Sequence, residues 1–246
     1  MKVTIRLYAG LQEMLGGRDV ALELADGATV AELREQLGRE YPVVTPFLPT
    51  LVCAVDEEYV PPEHTLREGD DIALIPPVSG GSDEPAMTPP ASAEEDLGPF
   101  EVTRDPLDAD ALVRAVRRDE SGAVVLFHGV ARNNSDGRPV RALEYDAYDA
   151  MAVAKLREVA QMTRARYPIT GMGVLHRIGR LEIGEASLLV AVSSAHRKEA
   201  FEAAHYAVDR IKEIVPIWKK EIWEDGDGEW VAGHVVDVPE ATETRS

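Results

Sequence analysis

Cysteine is nearly absent: Cys53 is the single one in 246 residues, so no intramolecular disulfide can form and no cysteine-based metal site can be assembled within one chain. Long apolar runs are also missing. No stretch approaches the roughly 18 apolar residues that mark a membrane-spanning helix. The opening MKVTIRLYAG enters an alternating strand pattern rather than a charged-then-apolar leader. A cytoplasmic protein with no membrane association is expected. Positive charge is scarce as well, with 26 Lys and Arg against 44 Asp and Glu and a formal net charge of -18. Such a balance excludes the basic surface by which nucleic acids and anionic membranes are held non-specifically. His128, His205 and His234 are scattered without metal-ligand spacing, so no metal site is expected; no other bound cofactor is expected either.

What is present divides into three parts. Residues 82–98, SDEPAMTPPASAEEDLG, hold three prolines, five acids and no aromatic residue, a composition that cannot bury enough apolar surface to offset its ordering entropy. The segment reads as a flexible linker with a reach of roughly 55 Å when fully extended. Basic and acidic residues balance to -8 before it, -5 within it and -5 after it, and the last part holds most of the basic side chains.

In residues 1–81, VTIRLYA and DVALELADG read as two strands joined by a loop around Gly16-Gly17. Thr29 followed three residues on by Glu32 is a capping box, and Val30, Leu33 and Leu37 then recur on one helical face until Tyr41-Pro42. LVCAVDEEYV and DDIALIPPV supply two more strands. Cys53 lies in the apolar run LVCAV and is expected to be a buried thiol. The order strand, strand, helix, strand, strand fits a β-grasp, ubiquitin-like domain that stops at Gly80-Gly81.

Residues 99–246 alternate elements quickly. FEVTRDP reads as a strand and Asp108 to Asp119 as a helix. AVVLFHGVA and ALEYDAY are strands around the turn NNSDGRP, and a long helix runs from about Ala150 to Arg166. GMGVLHRIG and SLLVAVSSA are strands either side of Glu182 to Glu185. Lys198 to Val215 is helical up to Pro216, and WKKEIWE with EWVAGHVV forms a hairpin around GDG. An α+β domain is predicted.

By composition alone, Gly80-Gly81 could simply open the linker. A strand running into PPVSGG, however, resembles the end of the molybdopterin synthase small subunit, and the likeness extends over nearly all of residues 1–81. Residues 99–246 resemble the large, catalytic subunit of the same enzyme through FHGVARN, LHRIGRLEIGE, SSAHRKEAFEA and IKEIVPIWKKE, in that order. For the second domain the resemblance implies an α/β-hammerhead-type fold and a homodimer. For the chain it implies sulfurtransferase activity: a thiocarboxylate on Gly81 would pass sulfur to cyclic pyranopterin monophosphate. Glycines without side chains suit a tail that threads a narrow channel.

Gly81 is followed by Ser82, so its carbonyl lies in a peptide bond. A processing protease must cut there before an adenylyltransferase related to ubiquitin-activating enzymes and a sulfur-donor enzyme can act. Lys212 and Lys219 match the family's two active-site lysines; pattern alone favours solvated surface lysines near a helix C-terminus, and the resemblance reverses that reading. Arg132, His196 and Arg197 match substrate-binding positions, which suits an anionic substrate because an arginine fork can donate two hydrogen bonds to a phosphate. Phe127 either supports the pocket or packs in the core, and Arg177 either belongs to the pocket or punctuates a turn. The family carries an arginine where this chain has His234. The alternative from another class is a ubiquitin-like modifier or binding protein, with Gly80-Gly81 conjugated to target lysines and the second domain serving as a docking scaffold.

Overall fold

The computed structural model describes residues 1–78, 97–236 and 238, and they form two compact units. One holds Met1–Val78 together with the segment from Ala232 onward; the other runs to Val231. The segment from Ala232, expected in the second domain, therefore groups with the first unit. Of the expected linker, residues 82–96 lie outside the described residues, as do Gly80 and Gly81; Leu97, placed in the linker by composition, is instead buried in the core of the second unit, where its carbonyl accepts from the Met172 N–H at 3.1 Å.

In the first unit, β1 (Lys2–Leu7) alternates exposed and buried residues and pairs antiparallel with β2 (Asp19–Glu23). Between them is α1 (Ala9–Leu15), where a loop was expected. This seven-residue helix has no side-chain N-cap and ends on Gly16 in the left-handed conformation, φ 70°. Helix α2 (Val30–Glu40) follows, with the predicted reciprocal cap: the Glu32 N–H donates to Thr29 Oγ1, and the Thr29 N–H donates to the Glu32 carboxylate at 2.8 Å. Val30, Leu33 and Leu37 are its buried face.

The apolar run after α2 is not one strand. It folds into a hairpin of β3 (Val52–Val55) and β4 (Glu58–Val60) around Asp56 and Glu57, both with positive φ. Such a left-handed two-residue turn matches the twist of the strands it joins. With β5 (Ile72–Ile75) the sheet order is β2-β1-β5-β3-β4, and β1 and β5 run parallel in its centre. This is a β-grasp sheet wrapped over α2, with Ile5, Leu33, Leu37, Ile72 and Leu74 in its core.

The second unit begins with β6 (Phe100–Thr103) and α3 (Ala109–Val116), which Asp108 caps by accepting from the Ala111 N–H at 2.9 Å. Next come β7 (Ala123–Val130), the short β8 (Asn134–Ser135) and β9 (Arg138–Ala147). Asp136 and Gly137, both at positive φ, make the β8–β9 turn. Helix α4 (Asp149–Arg166) is followed by β10 (Ile169–Arg177), β11 (Gly179–Glu182) and β12 (Ala186–Ser194). The chain then forms α5 (Arg197–Ile214), β13 (Ile217–Trp223) and β14 (Gly228–Trp230).

Two sheets result. One has the order β6-β10-β12-β7, and the other has β11-β9-β13-β14 with β8 on β9. β11, which was not expected as a strand of its own and overlaps the expected turn only at Glu182, carries the chain from the first sheet to the second. Val159, Val174, Val190, Ala207 and Ile211 tie α4 and α5 to the first sheet. No helix among the described residues is long and apolar enough to cross a membrane.

Candidate active site

Lys219, one of the two candidate lysines, lies on β13 of the second sheet. Alternate residues of a strand share a face, which puts Lys219 and Glu221 side by side. The Lys219 Nζ lies 3.2 Å from Glu221 Oε1, with the lysine side chain 26% exposed and the glutamate 8%. A carboxylate taken out of water needs a partner cation, so this pair fixes the lysine head rather than leaving it to sweep through solvent.

Tyr145 on β9 stands directly opposite Lys219 in the ladder. Burial pushes its phenol above the ordinary tyrosine range, a hydrogen bond with the Ser187 side chain opposes that, and the negative charge of Glu221 adds to it. His176 meets the Tyr145 ring edge-on at 5.2 Å. Its Nδ1 is 3.0 Å from the Arg177 carbonyl oxygen, which requires the Nδ1 proton to be donated there. Complete burial lowers the imidazole to about 4, against the weaker raising effect of that hydrogen bond. His176 is therefore a neutral core group.

Lys212 occupies the last turn of α5 and is exposed. The helix stops after it because Pro216 cannot continue the backbone ladder. The Pro216 carbonyl instead accepts from the Tyr148 N–H at 3.1 Å, which sets the start of β13 beside the start of α4. His196 and Arg197 lie at the other end of α5, as its N-cap and first residue, and both are exposed. At 1.5 Å rise per residue, the fifteen steps from Arg197 to Lys212 span about 22 Å. One chain thus keeps these two groups at opposite ends of a helix, where they cannot converge on one reacting atom.

Arg132 is exposed on a segment whose backbone is held on both sides. Ala131 exchanges hydrogen bonds with Glu185 and Gly184, and the Asn133 carbonyl accepts from Val140. Arg132, His196, Arg197 and Lys212 have no ion-pair partner among the described residues, in a chain where acids far outnumber bases. Phe127, half-buried on β7, packs against the main core cluster. Arg177 is committed elsewhere: its guanidinium pairs with Glu185 at 3.0 Å and donates to the Arg104 carbonyl at 3.3 Å. It is better read as a clamp than as a ligand for substrate.

Sequence reading passed over Glu221 and Tyr145. The signal for Glu221 was the two-residue spacing from Lys219 on a strand. Tyr145 had no signal before the β9–β13 register was known. A groove of about 490 Å³ lined by Arg166, Tyr167, Phe201, Tyr206 and Arg210 contains none of the expected site residues. No group of His, Cys, Asp and Glu among the described residues is arranged to hold a metal ion.

Comparison with known proteins accounts for both units. Residues 102–214 match the MoaE protein family and residues 5–81 the ThiS family. The molybdopterin synthase catalytic subunit of Bacillus subtilis is 45% identical over 132 residues, covering 54% of this chain and 83% of the relative. The chain belongs to the molybdopterin synthase catalytic-subunit family. That of Thermoplasma volcanium is also 45% identical, over 130 residues, 53% of this chain and 95% of the relative. A solved structure of molybdopterin synthase from Staphylococcus aureus matches with a TM-score of 0.52 and 42% identity, covering 54% of this chain and 96% of that one. In this member of the family, a ThiS-family β-grasp domain precedes the catalytic-subunit domain on the same polypeptide.

Proposed function

We propose that the chain is a molybdopterin synthase carrying its sulfur donor and its catalytic domain together. The observation behind this reading is where the two matches fall: the ThiS-family match ends at residue 81, the second glycine of the pair, and the MoaE match begins at residue 102 of the same chain. A protease cuts behind Gly81, an activating enzyme adenylates the freed carboxyl group, and a sulfur-donor enzyme converts it to a thiocarboxylate. In each round the thiocarboxylate sulfur forms a bond to a side-chain carbon of cyclic pyranopterin monophosphate and that carbon's bond to oxygen breaks, the oxygen leaving once with the phosphate as its ring opens and once as water. The tail carbonyl carbon then takes oxygen from water and departs as a carboxylate, leaving the sulfur behind. Two rounds install the dithiolene.

Lys219, fixed by Glu221, stabilises negative charge developing on oxygen during transfer. Lys212 moves a proton, and Arg132 holds the phosphate through its planar fork. The length of α5 supports assigning His196 and Arg197 to the site of a second copy, in a homodimer formed through the catalytic domain.

The test is mass spectrometry of protein made in its own host, followed by assay of the cut, sulfur-loaded protein with cyclic pyranopterin monophosphate. A carrier fragment ending at Gly81 with one oxygen replaced by sulfur, and a pterin product containing two added sulfurs, are expected. A fully active population that is never cut would overturn the mechanism. Gly81 found joined to target lysines, with no sulfur transferred, would put a ubiquitin-like modifier in its place.

A further inference from the structure

Arg132 is carried at the base of a small arm whose own bonds are few. Strand β8 pairs with β9 only through Asn134 with Pro139 and Ser135 with Arg138, and the first of these pairs lacks a donor because proline has no N–H. The turn that joins them puts Asp136 at φ 49°, a region unfavourable to a residue with a Cβ. A lone two-stranded hairpin is marginal in water. This one must be fixed from outside.

Arg138 fixes it. Its guanidinium carbon lies 4.1 Å from the centroid of the Trp223 ring, and its Nη2 donates to Asp225 Oδ2 at 3.0 Å. Trp223 is itself anchored, nearly buried in a small cluster with Ala131, Val140, Leu143 and Leu181. Asp225 is anchored as well: its Oδ1 accepts from the Asp227 N–H at 3.2 Å, and the Asp227 carbonyl accepts from the Trp223 N–H at 2.8 Å. The hydrogen bond from Arg138 is the largest of the influences that hold the Asp225 carboxyl below the usual carboxylate range. With side chains 44% and 58% exposed, the ion pair alone would contribute little. Stacking on tryptophan while a planar fork pairs with a carboxylate is open to arginine and not to lysine.

Trp223 shares β13 with Lys219 and Glu221, at alternate positions along the strand. The Arg138 contact therefore bridges the strand that bears Lys219 and the arm that bears Arg132. The base of that arm is tied to the same sheet, since the Asn133 carbonyl accepts from the Val140 N–H and Val140 stands opposite Trp223.

We propose that Arg138 is a positioning residue for substrate: stacked on Trp223 and paired with Asp225, it holds the β8–β9 hairpin so that Arg132 meets the substrate phosphate at a set distance from Lys219. The proposal rests on the reading of Arg132 as the phosphate ligand. Arg138 does not touch the substrate, and its effect passes through Arg132.

The experiment follows a single turnover of sulfur transfer on the cut, sulfur-loaded chain over a range of cyclic pyranopterin monophosphate concentrations. This separates the substrate concentration that gives half-maximal rate from the maximal rate itself. Arg138→Ala should raise the half-maximal concentration about fivefold and leave the maximal rate within about twofold. Arg138→Lys, which keeps the charge but loses the planar stack, should recover only a minor part of that increase. Asp225→Asn, which keeps the oxygen facing the Asp227 N–H, should shift the half-maximal concentration in the same direction by less. The double variant of Arg132→Ala with Arg138→Ala should match Arg132→Ala alone, because a residue that acts through another then has nothing to act on.

Multiplied effects in the double variant would mean that Arg138 meets the substrate directly and would overturn the proposal. So would a loss confined to the maximal rate, or full rescue by Arg138→Lys, and so would a fall in stability in urea melts large enough to account for the lost affinity. An unchanged half-maximal concentration in Arg132→Ala would overturn the functional reading of Arg132 and this inference with it, whereas the other failures leave Arg132 in its role.

Discussion

The two units differ in what they bury. Every buried polar or charged side chain among the described residues belongs to the second: Lys155, Thr163, His176, Ser187, Ser193, Ser194, Arg210, Glu213 and Glu221. The core of the first is aliphatic, and its one unusual group is Cys53, 2% exposed, whose thiol burial pushes up to about 12. Removing polar groups from water is unfavourable unless each finds a partner. The second unit meets that requirement around β9 and β13, where a buried carboxylate holds a lysine in place, whereas the first keeps such side chains at the margin of its core, as with the partly buried Arg34. The contrast fits a division of labour in which the first unit is a scaffold for a tail and the second arranges charge.

The sharpest way to break this comparison is to remove the lysine that the buried carboxylate holds. Lys219→Ala should lower dithiolene formation by about 10² to 10⁴, the range for a positioned proton-transfer or charge-stabilising group. Loading of sulfur onto the carrier should be unchanged. Both are measured on the same cut protein, pterin product by mass spectrometry and thiocarboxylate by intact fragment mass. A loss of carrier loading would show that the two units are not chemically separable.

The second prediction concerns pH. His176 is held near 4 in the folded state and returns to about 6.5 when unfolded. Between those values the unfolded chain binds a proton that the folded chain refuses. The contribution of His176 is therefore fully present above pH 6.5 and declines as pH falls toward 4, by on the order of 3 kcal/mol across the window. Denaturant melts from pH 7 to 4 should show the second unit losing stability, and His176→Phe should flatten the slope. A slope that persists in the variant would remove His176 as its source.

These cases also show how much the sequence could reveal. The α2 cap was legible because Thr29 and Glu32 are three residues apart and need no tertiary contact to find each other. Helices α4 and α5 were legible through length and terminal prolines. Helix α1 was hidden by its seven residues and the lack of a capping side chain. The β3–β4 hairpin was hidden because its left-handed turn uses Asp56 and Glu57 instead of glycine. At the candidate site, Lys212 and Lys219 stood out by resemblance. The clamp on Arg177 and the place of Tyr145 follow from strand register, and the pairing of Val78 with His234 joins residues far apart in the chain. Local rules do not reach such distances.

Smaller effects sharpen the same contrast within the first unit. Thr29→Ala removes the side-chain acceptor of the α2 cap and should cost about 1 kcal/mol. Because α2 packs only on an aliphatic core, this loss should not vary between pH 7 and 5.5, in contrast to the second unit. Chemical denaturation of the variant at the two pH values checks it, and a pH-dependent difference would mean that the cap is coupled to a titrating group.

The smallest effect expected is on sulfur transfer when Cys53 is changed. A domain proposed to carry sulfur invites the idea that its one thiol is a relay, but a thiol must ionise to act as a nucleophile. Cys53 is sealed between β4 and β5, and burial outweighs the opposing influence of Arg34. Cys53→Ala should leave a small cavity and cost about 1 kcal/mol in stability, while the rate of thiocarboxylate formation on Gly81 stays within twofold of the unaltered chain. Loading measured by fragment mass over time decides this. A large fall in loading with the fold intact would place a reactive sulfur inside the carrier and undo the distinction between an inert scaffold and a chemically active partner.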